Sequence, residues 1–491
     1  MKVVSMPSGP IYKRAFFPHV FFLLLALLLV LPSISGQSLW IDEATTAFYA
    51  QQDSLGDLFR AMGDEEGSEV QMPLGVFMAY GFGQALGTSE YALRLPNILW
   101  LGISLLALFS LGCRYQMPWL PLLFALHPMV WFYADEARPY ALQFACASVV
   151  LWSATRLMYE SPLQTRTLCW FWGAGLALCA SSLLAAIIFA AWAFIVFVGY
   201  AQWRYLTRAH VKICGVALLG LIALAGYYVW TVWRGAGGAK LWALGWANPA
   251  FALFEFGGFM GFSPGRVALR EAGRAGGAAA ISALQPYIIP IVALALVYGV
   301  IVLGSRRVWT SSIPRLCLIW LSGGVFAIAI VCAAVGFPFW GRHLAPLFPV
   351  MILALGCCIQ QLASRLRTIM LILLLALYAA SSTNQRFNEQ HRKDDYRGAV
   401  AFAQASEEHG ARVLWVANGL AATYYGYNPE SLPEKISAGL LEQQYDVVAL
   451  SKPDIFDPDH QVVSALKNSS FQQIKTFSAF QIYGKDPVHA E

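Results

Sequence analysis

The sequence predicts a mostly α-helical, polytopic membrane protein of about eleven transmembrane helices, closed by a small C-terminal α/β domain outside the membrane. Three observations predict it. Charged residues make up only 12% of the 491-residue chain and hydrophobic ones 58%, where a soluble domain carries about 25% charged residues. Apolar runs recur along the chain, most of them long enough to cross a hydrocarbon layer about 30 Å thick. From residue 383 the composition turns abruptly polar and the hydrophobic pattern changes to short strands and amphipathic helices.

The elements follow in order. The first apolar run, "AFFPHVFFLLLALLLVLPSISG", comes after Lys2, Lys13 and Arg14. Its basic start resembles a signal peptide, but its length suits an uncleaved first span with a cytoplasmic start. Further spans are expected over 93–111, 117–133, 140–156, 167–182, 183–201, 212–232, 284–304, 314–335, 344–361 and 368–382. Short loops such as "QWRYLTRAHVK", "GSRRVWTSSIPR" and "ASRLRT" alternate with loops poor in Lys and Arg. Basic loops stay in the cytoplasm, so the N-terminus is inside. The segment 36–90, the turn "YADEARPY", the loop 233–283, the turn "FPFWGRH" and the C-terminal tail are then outside. The stretch 73–87 is read as an interfacial helix; counting it as a span would put Asp42 and Asp135 on opposite faces. The chain divides into a membrane domain, 1–382, with outer loops 36–90 and 233–283, and an extracytoplasmic domain, 383–491. In the latter, "KDDYRGAVAFAQASEEHG" reads as a helix ending at Gly410, "ARVLWVA" and "YDVVALS" as strands, "DPDHQVVSALKNSS" as a helix and "FQQIKTFSAFQIYG" as strand alternation.

Composition also excludes. The net charge is +5, and the basic residues are scattered among apolar runs, which argues against a nucleic-acid surface. The nine cysteines lie in or beside apolar segments with no CxxC pairing, so they read as small core residues rather than disulfides or zinc ligands. No histidine pair has metal-ligand spacing.

On the outer face the charges gather at a few places. Asp42 and Glu43 follow the first span. Asp64, Glu65, Glu66 and Glu69 precede the interfacial helix. Asp135, Glu136, Arg138 and Tyr140 occupy one turn, Arg342 and His343 another. Arg266, Arg270 and Arg274 share one face of a helix and are read first as contacts to anionic lipid headgroups. Charges at span ends also mark the water boundary, so spacing alone does not make them a site. Carboxylates can take a hydroxyl proton or hold a divalent cation, and a guanidinium suits a phosphate. Together they suit a reaction in which a phosphate-linked group departs from a lipid while a hydroxyl or amine attacks.

The stretches "WIDEATTAFYA", "EVQMPLGVFMAYGFGQALGTSEYALRLPNILWLG", "HPMVWFYADEARPYALQFACAS", "FWGRHLAPLFPV" and "KDDYRGAVAFAQ", in that order, resemble the bacterial polyprenyl-phosphate-dependent glycosyltransferases of the GT-C superfamily, in particular the mannosyltransferase/aminoarabinose-transferase-like group. The resemblance implies transfer of a sugar from a polyprenyl-phosphate donor to a lipid, polysaccharide or protein acceptor, by an inverting mechanism with little or no dependence on metal. It makes Asp42 the base, with Glu43 beside it and Asp135, the second acidic residue, as the other catalytic candidates, and Arg342 a ligand of the lipid phosphate. Glu69, Gln71, Glu136, Arg138, Tyr140 and His343 are the accompanying substrate-binding candidates. Trp40 and Tyr49 are expected to anchor the first outer loop at headgroup level. The implied location is the bacterial inner membrane. No cofactor is implied with certainty, a divalent cation being the one considered. The chain departs from the pattern at Gln71 and Met72, where the group carries His-Pro or Lys-Pro, and at His343, where it carries Tyr. The rival functions are a non-catalytic membrane scaffold and a lipid or oligosaccharide transporter of the cell envelope. The enzyme reading expects Asp42, Asp135 and Arg342 to converge on one cavity. The sugar and the acceptor are not fixed by the sequence.

Overall fold

The computed structural model describes residues 10–64, 68–159, 163–199, 206–234, 247–306, 311–336 and 339–485. Glu65, Glu66 and Lys2 lie outside them. The chain divides into two compact units, and the division is not linear in sequence. The first comprises Met1–Ile34, Met62–Met78 and Arg94–Asn388; the second comprises Ser35–Ala61, Ala79–Leu93 and Glu389–Glu491.

The first unit is helical. A backbone in lipid must satisfy its own hydrogen bonds, and an uninterrupted helix does so. Among the described residues, seven helices are long and apolar enough to cross a membrane: Glu90–Tyr115, Tyr140–Tyr159, Arg208–Trp233, Gly277–Gly304, Ser312–Ala334, Gly341–Gln360 and Ser364–Phe387. Phe17–Ser33 and Leu183–Val198 are shorter apolar helices, and Thr165–Ser181 is a further helix of 17 residues. The protein is thus a multi-pass membrane protein.

The span expected over 117–133 is instead two short helices, Leu120–Ala125 and Pro128–Ala134. The break has a local cause. Pro128 cannot donate a backbone hydrogen bond, and the residue before a proline is pushed out of the helical region. His127 is extended there (φ −72°, ψ 135°) and caps the second helix, its Nδ1 accepting from Met129 N at 3.1 Å. The core of this unit is aliphatic and aromatic. Trp192 and Trp320 stack within it, centroids 4.5 Å apart. All nine cysteines are free.

The second unit contains a four-stranded sheet: β1 (Val413–Val416), β2 (Val447–Ser451), β3 (Gln472–Phe477) and β4 (Phe480–Gly484), in the order β1-β2-β4-β3. β1 and β2 are parallel; β2–β4 and β3–β4 are antiparallel. Alternate residues of a strand face opposite sides, and the two faces have separate cores. Trp415, Val447 and Ala449 join one with Tyr396 and Val400; Leu414, Val448 and Leu450 join the other with Val462 and Leu466. The first core also takes Ala44, which is why a segment from the N-terminal part of the chain belongs to this unit. The helix Tyr396–Glu408 begins at Asp395, whose side chain caps Gly398 N, and is followed by Gly410 at φ +84°, as the sequence predicts. The stretch read as an interfacial helix, 73–87, is helical over Pro73–Leu86.

Candidate functional site

In the first unit the site builds around the turn between Pro128–Ala134 and Tyr140–Tyr159. Asn97 pins this turn from the helix Pro96–Tyr115: its Nδ2 donates to Ala134 O at 2.9 Å and to Glu136 O at 2.6 Å. The turn's charges are covered by protein, with Asp135, Glu136 and Arg138 all buried. Arg138 forms a buried ion pair with Glu69, and its Nη2 lies 3.9 Å from Met72 Sδ. A Cβ at Gly75 would sit 3.1 Å from the ring of Pro139, so the start of the helix Pro73–Leu86 lies hard against the turn. Five expected residues (Glu69, Asp135, Glu136, Arg138 and Tyr140) therefore belong to one neighbourhood. Gln71 ends the 3₁₀ turn Ser68–Gln71 that carries Glu69.

A second cluster adjoins the first through Tyr133, whose ring meets that of Tyr140 edge-on at 4.7 Å. Glu255, on the helix Ala247–Phe256, is 2% exposed. Its Oε1 accepts from the Tyr133 hydroxyl and pairs with Arg266 Nη2. The Arg266 guanidinium lies 3.4 Å above the ring of Phe132. Burial is the largest single influence and works against this charge, but Glu255, Tyr133 and Glu136 together outweigh it and hold the Arg266 pKa above its ordinary value. The loop between Glu255 and Arg266 is fixed from two helices. Tyr298 donates to Gly257 O at 2.8 Å, Ser381 Oγ donates to Gly258 O at 2.8 Å, and Asn384 Nδ2 donates to Gly261 O at 2.5 Å. Gly258 needs its glycine: φ is +82°, and an added Cβ would lie 3.0 Å from His127 Nε2.

The turn Gly341–Leu347 completes this cluster. Gly341 abuts Glu255 so closely that a Cβ would overlap the carboxylate. Arg342 and His343 are partly exposed. The His343 ring folds back, its Nδ1 accepting from Trp340 N at 3.2 Å.

Glu255 and Tyr133 were not among the sequence candidates. Glu255 did leave a signal: a lone acid inside the apolar run "FALFEFGGFMGF" is costly without a partner. Arg266, expected at lipid headgroups, is held inside this unit by Glu255; Arg274, two turns on, is exposed.

Asp42 and Glu43 belong to the second unit. They occupy the first turn of the helix Ile41–Ala50, where the helix dipole favours negative charge. Asp42 is partly exposed, whereas Glu43 is wholly buried in an ion pair with Lys393, Oε2 to Nζ 3.0 Å. Tyr49, expected as a headgroup anchor, is enclosed by protein at 0% exposure. Ala47 and Ala50 of the same helix are buried too, so protein covers most of the way around it here. Among the described residues no three His, Cys, Asp or Glu side chains come together as a metal cage.

No family model matches the chain, and no curated protein matches it. Among solved structures it is similar to ArnT from Cupriavidus metallidurans bound to undecaprenyl phosphate, at 14% identity over 96% of this chain and 98% of that one, TM-score 0.49. It is similar also to the arabinofuranosyltransferase AftD from Mycobacteria, at 15% identity over 96% of this chain and 41% of that one, TM-score 0.45. A third is the archaeal oligosaccharyltransferase AglB from Archaeoglobus fulgidus, in complex with an inhibitory peptide and a dolichol-phosphate: 10% identity over 95% of this chain and 74% of that one, TM-score 0.46.

Proposed function

We propose that this chain is an integral-membrane glycosyltransferase that moves a sugar from a polyprenyl-phosphate donor to an acceptor at the outer face of the bacterial inner membrane. The observation that carries the proposal is the cluster in the first unit: Arg266, held by buried Glu255 and Tyr133, with the Gly341–Arg342 turn packed on Glu255. A guanidinium fixed in advance, as Arg266 is, suits a leaving phosphate, because charge that grows in the transition state meets a donor needing no reorganisation. Their place beside helices able to cross a membrane suits a donor whose tail lies in lipid. The sequence motifs from "WIDEATTAFYA" to "KDDYRGAVAFAQ" support the same reading.

In this mechanism an acceptor hydroxyl attacks the anomeric carbon. The bond from that carbon to the phosphate oxygen breaks, and the polyprenyl phosphate leaves with the electron pair. Asp42 takes the hydroxyl proton, while Arg342 and Arg266 hold the phosphate. Asp135, Glu136, Tyr140, Gln71 and His343 are assigned to the sugar and acceptor, and the Glu69–Arg138 pair sets the turn that carries Asp135.

The test is purified full-length protein in nanodiscs with a panel of radiolabelled polyprenyl-phosphate sugars and membrane-extract acceptors. Label moves from at least one donor; no transfer from any donor would remove the proposal. Asp42→Asn should lower turnover by roughly 10²–10⁴-fold, the usual contribution of a general base, with the fold unchanged by circular dichroism. Near-normal turnover would take Asp42 out of the mechanism.

A further inference from the structure

The segment Lys393–Arg397 and the residues just before Asp42 are joined, within the second unit, by more polar contacts than a surface loop needs. Lys393 N donates to Gln37 Oε1 at 3.1 Å, and Arg397 N donates to Ser38 Oγ at 3.1 Å. Arg397 Nη2 reaches Gly36 O at 2.7 Å, and Leu39 N donates to the hydroxyl of Tyr425 at 2.8 Å. The chain from 36 to 39 is therefore pinned before it enters the helix Ile41–Ala50.

The Lys393–Glu43 pair adds a polar constraint on rotation of that helix about its axis, beside the packing of its buried Ala44. The two side chains are 8% and 0% exposed. A buried ion pair is a poor way to gain stability, since two charges lose their water and an apolar pair of equal volume often does as well. Its best-attested use is to fix one register among several that packing alone would allow. Neighbouring residues of a helix point about 100° apart, so fixing Glu43 inward fixes the direction in which Asp42 leaves the helix. Ala44, next along, enters the sheet's core and gives the same orientation.

We propose that Glu43 and Lys393 are positioning residues, a buried pair through which the C-terminal domain sets the orientation of Asp42. The proposal rests on Asp42 being the base. It differs from the catalytic role the sequence expects of Glu43, because the pair would act through its neighbour and never touch the substrate.

The test uses the full-length protein with three variants: Lys393→Met, Glu43→Gln, and the exchanged pair Glu43→Lys with Lys393→Glu. Each single change should lower kcat by about tenfold or more while donor KM moves less than about twofold, since misplacing a reacting group by about 1 Å costs up to about 10²-fold. Amide hydrogen exchange over Ile41–Ala50 should speed up about tenfold in the single variants, reporting the helix loosened. The exchanged pair should recover at least half of the logarithmic loss in both readouts. Single variants with kcat within about twofold of the parent overturn the proposal. So does a fall in kcat with amide exchange unaltered, which would make Glu43 a direct participant. An exchanged pair no better than the single variants overturns it as well. If the parent protein transfers no sugar from any donor, the glycosyltransferase reading fails by itself. The exchange readout then decides the pairing alone, and unaltered exchange overturns it.

Discussion

Arg266 shows how a single charge is held in this protein. Its guanidinium has a carboxylate on one side and an aromatic face beneath it. Glu255 in turn accepts a hydroxyl from Tyr133 and has room only because residue 341 lacks a side chain. Gly341→Ala should therefore act through Glu255. Its methyl group has no space, and overpacking at such a site costs about 1–3 kcal/mol; the thermal midpoint in detergent should fall, with a matching loss of transfer. Tyr133→Phe removes only the hydroxyl. A hydrogen bond to a charged group is worth about 1.5–3 kcal/mol, so this variant should be destabilised by that order while Arg266 keeps its main partner. Equal midpoints for Tyr133→Phe and the parent would show that Glu255 does not depend on the hydroxyl. Glu255 itself was legible only as an oddity, a lone acid in an apolar run. No local pattern could reveal that its partners lie 122 residues before it and 11 after it.

Among the elements, the turn Asp135–Pro139 is set by contacts from other parts of the chain. Glu69 neutralises Arg138, and Asn97 donates to Ala134 O just before the turn and to Glu136 O within it. Glu69→Ala leaves a buried guanidinium without its charge partner, a change that typically costs about 3–5 kcal/mol. Replacing Glu69 and Arg138 together by apolar residues should cost far less, and chemical denaturation of the two single variants and the double variant measures the difference. A weaker pair edges the sheet. Asp446 accepts from Arg412 N at 3.0 Å and lies 3.1 Å from Lys485 Nζ. That N–H, ahead of the Lys485 and Arg412 charges, holds its pKa below the ordinary carboxylate value despite some burial. A carboxylate with a lowered folded pKa stabilises fully above the unfolded value and loses this as pH falls through the folded one. Asp446→Asn should thus destabilise the C-terminal domain at neutral pH by less than about 1 kcal/mol, since the pair is exposed. The difference from the parent should vanish as pH drops below the carboxylate range.

For the whole molecule, the charge bias of the loops predicts sidedness. A cysteine placed at exposed Asp459, in a chain whose native cysteines are replaced, should react with a membrane-impermeant maleimide from the outer face. One placed at exposed Arg365 should react only after the cytoplasmic face is opened. The opposite pattern would reverse the assigned orientation of every loop. By itself the sequence determined the membrane class, most of the long helices, and the strands and some of the helices of the C-terminal domain; the helix Ala438–Gln444 was not legible in it. These follow from local composition and periodicity, because a bilayer demands long apolar helices and a half-buried strand demands alternation. Only the tertiary structure decided which charges are partnered. It gave Glu43 to Lys393, Glu69 to Arg138 and Arg266 to Glu255, and it drew residues 35–61 and 79–93 into one unit with the C-terminal sheet. A buried charge is tolerated only beside its partner, and which residue serves as that partner depends on how distant segments pack, which no window of sequence contains.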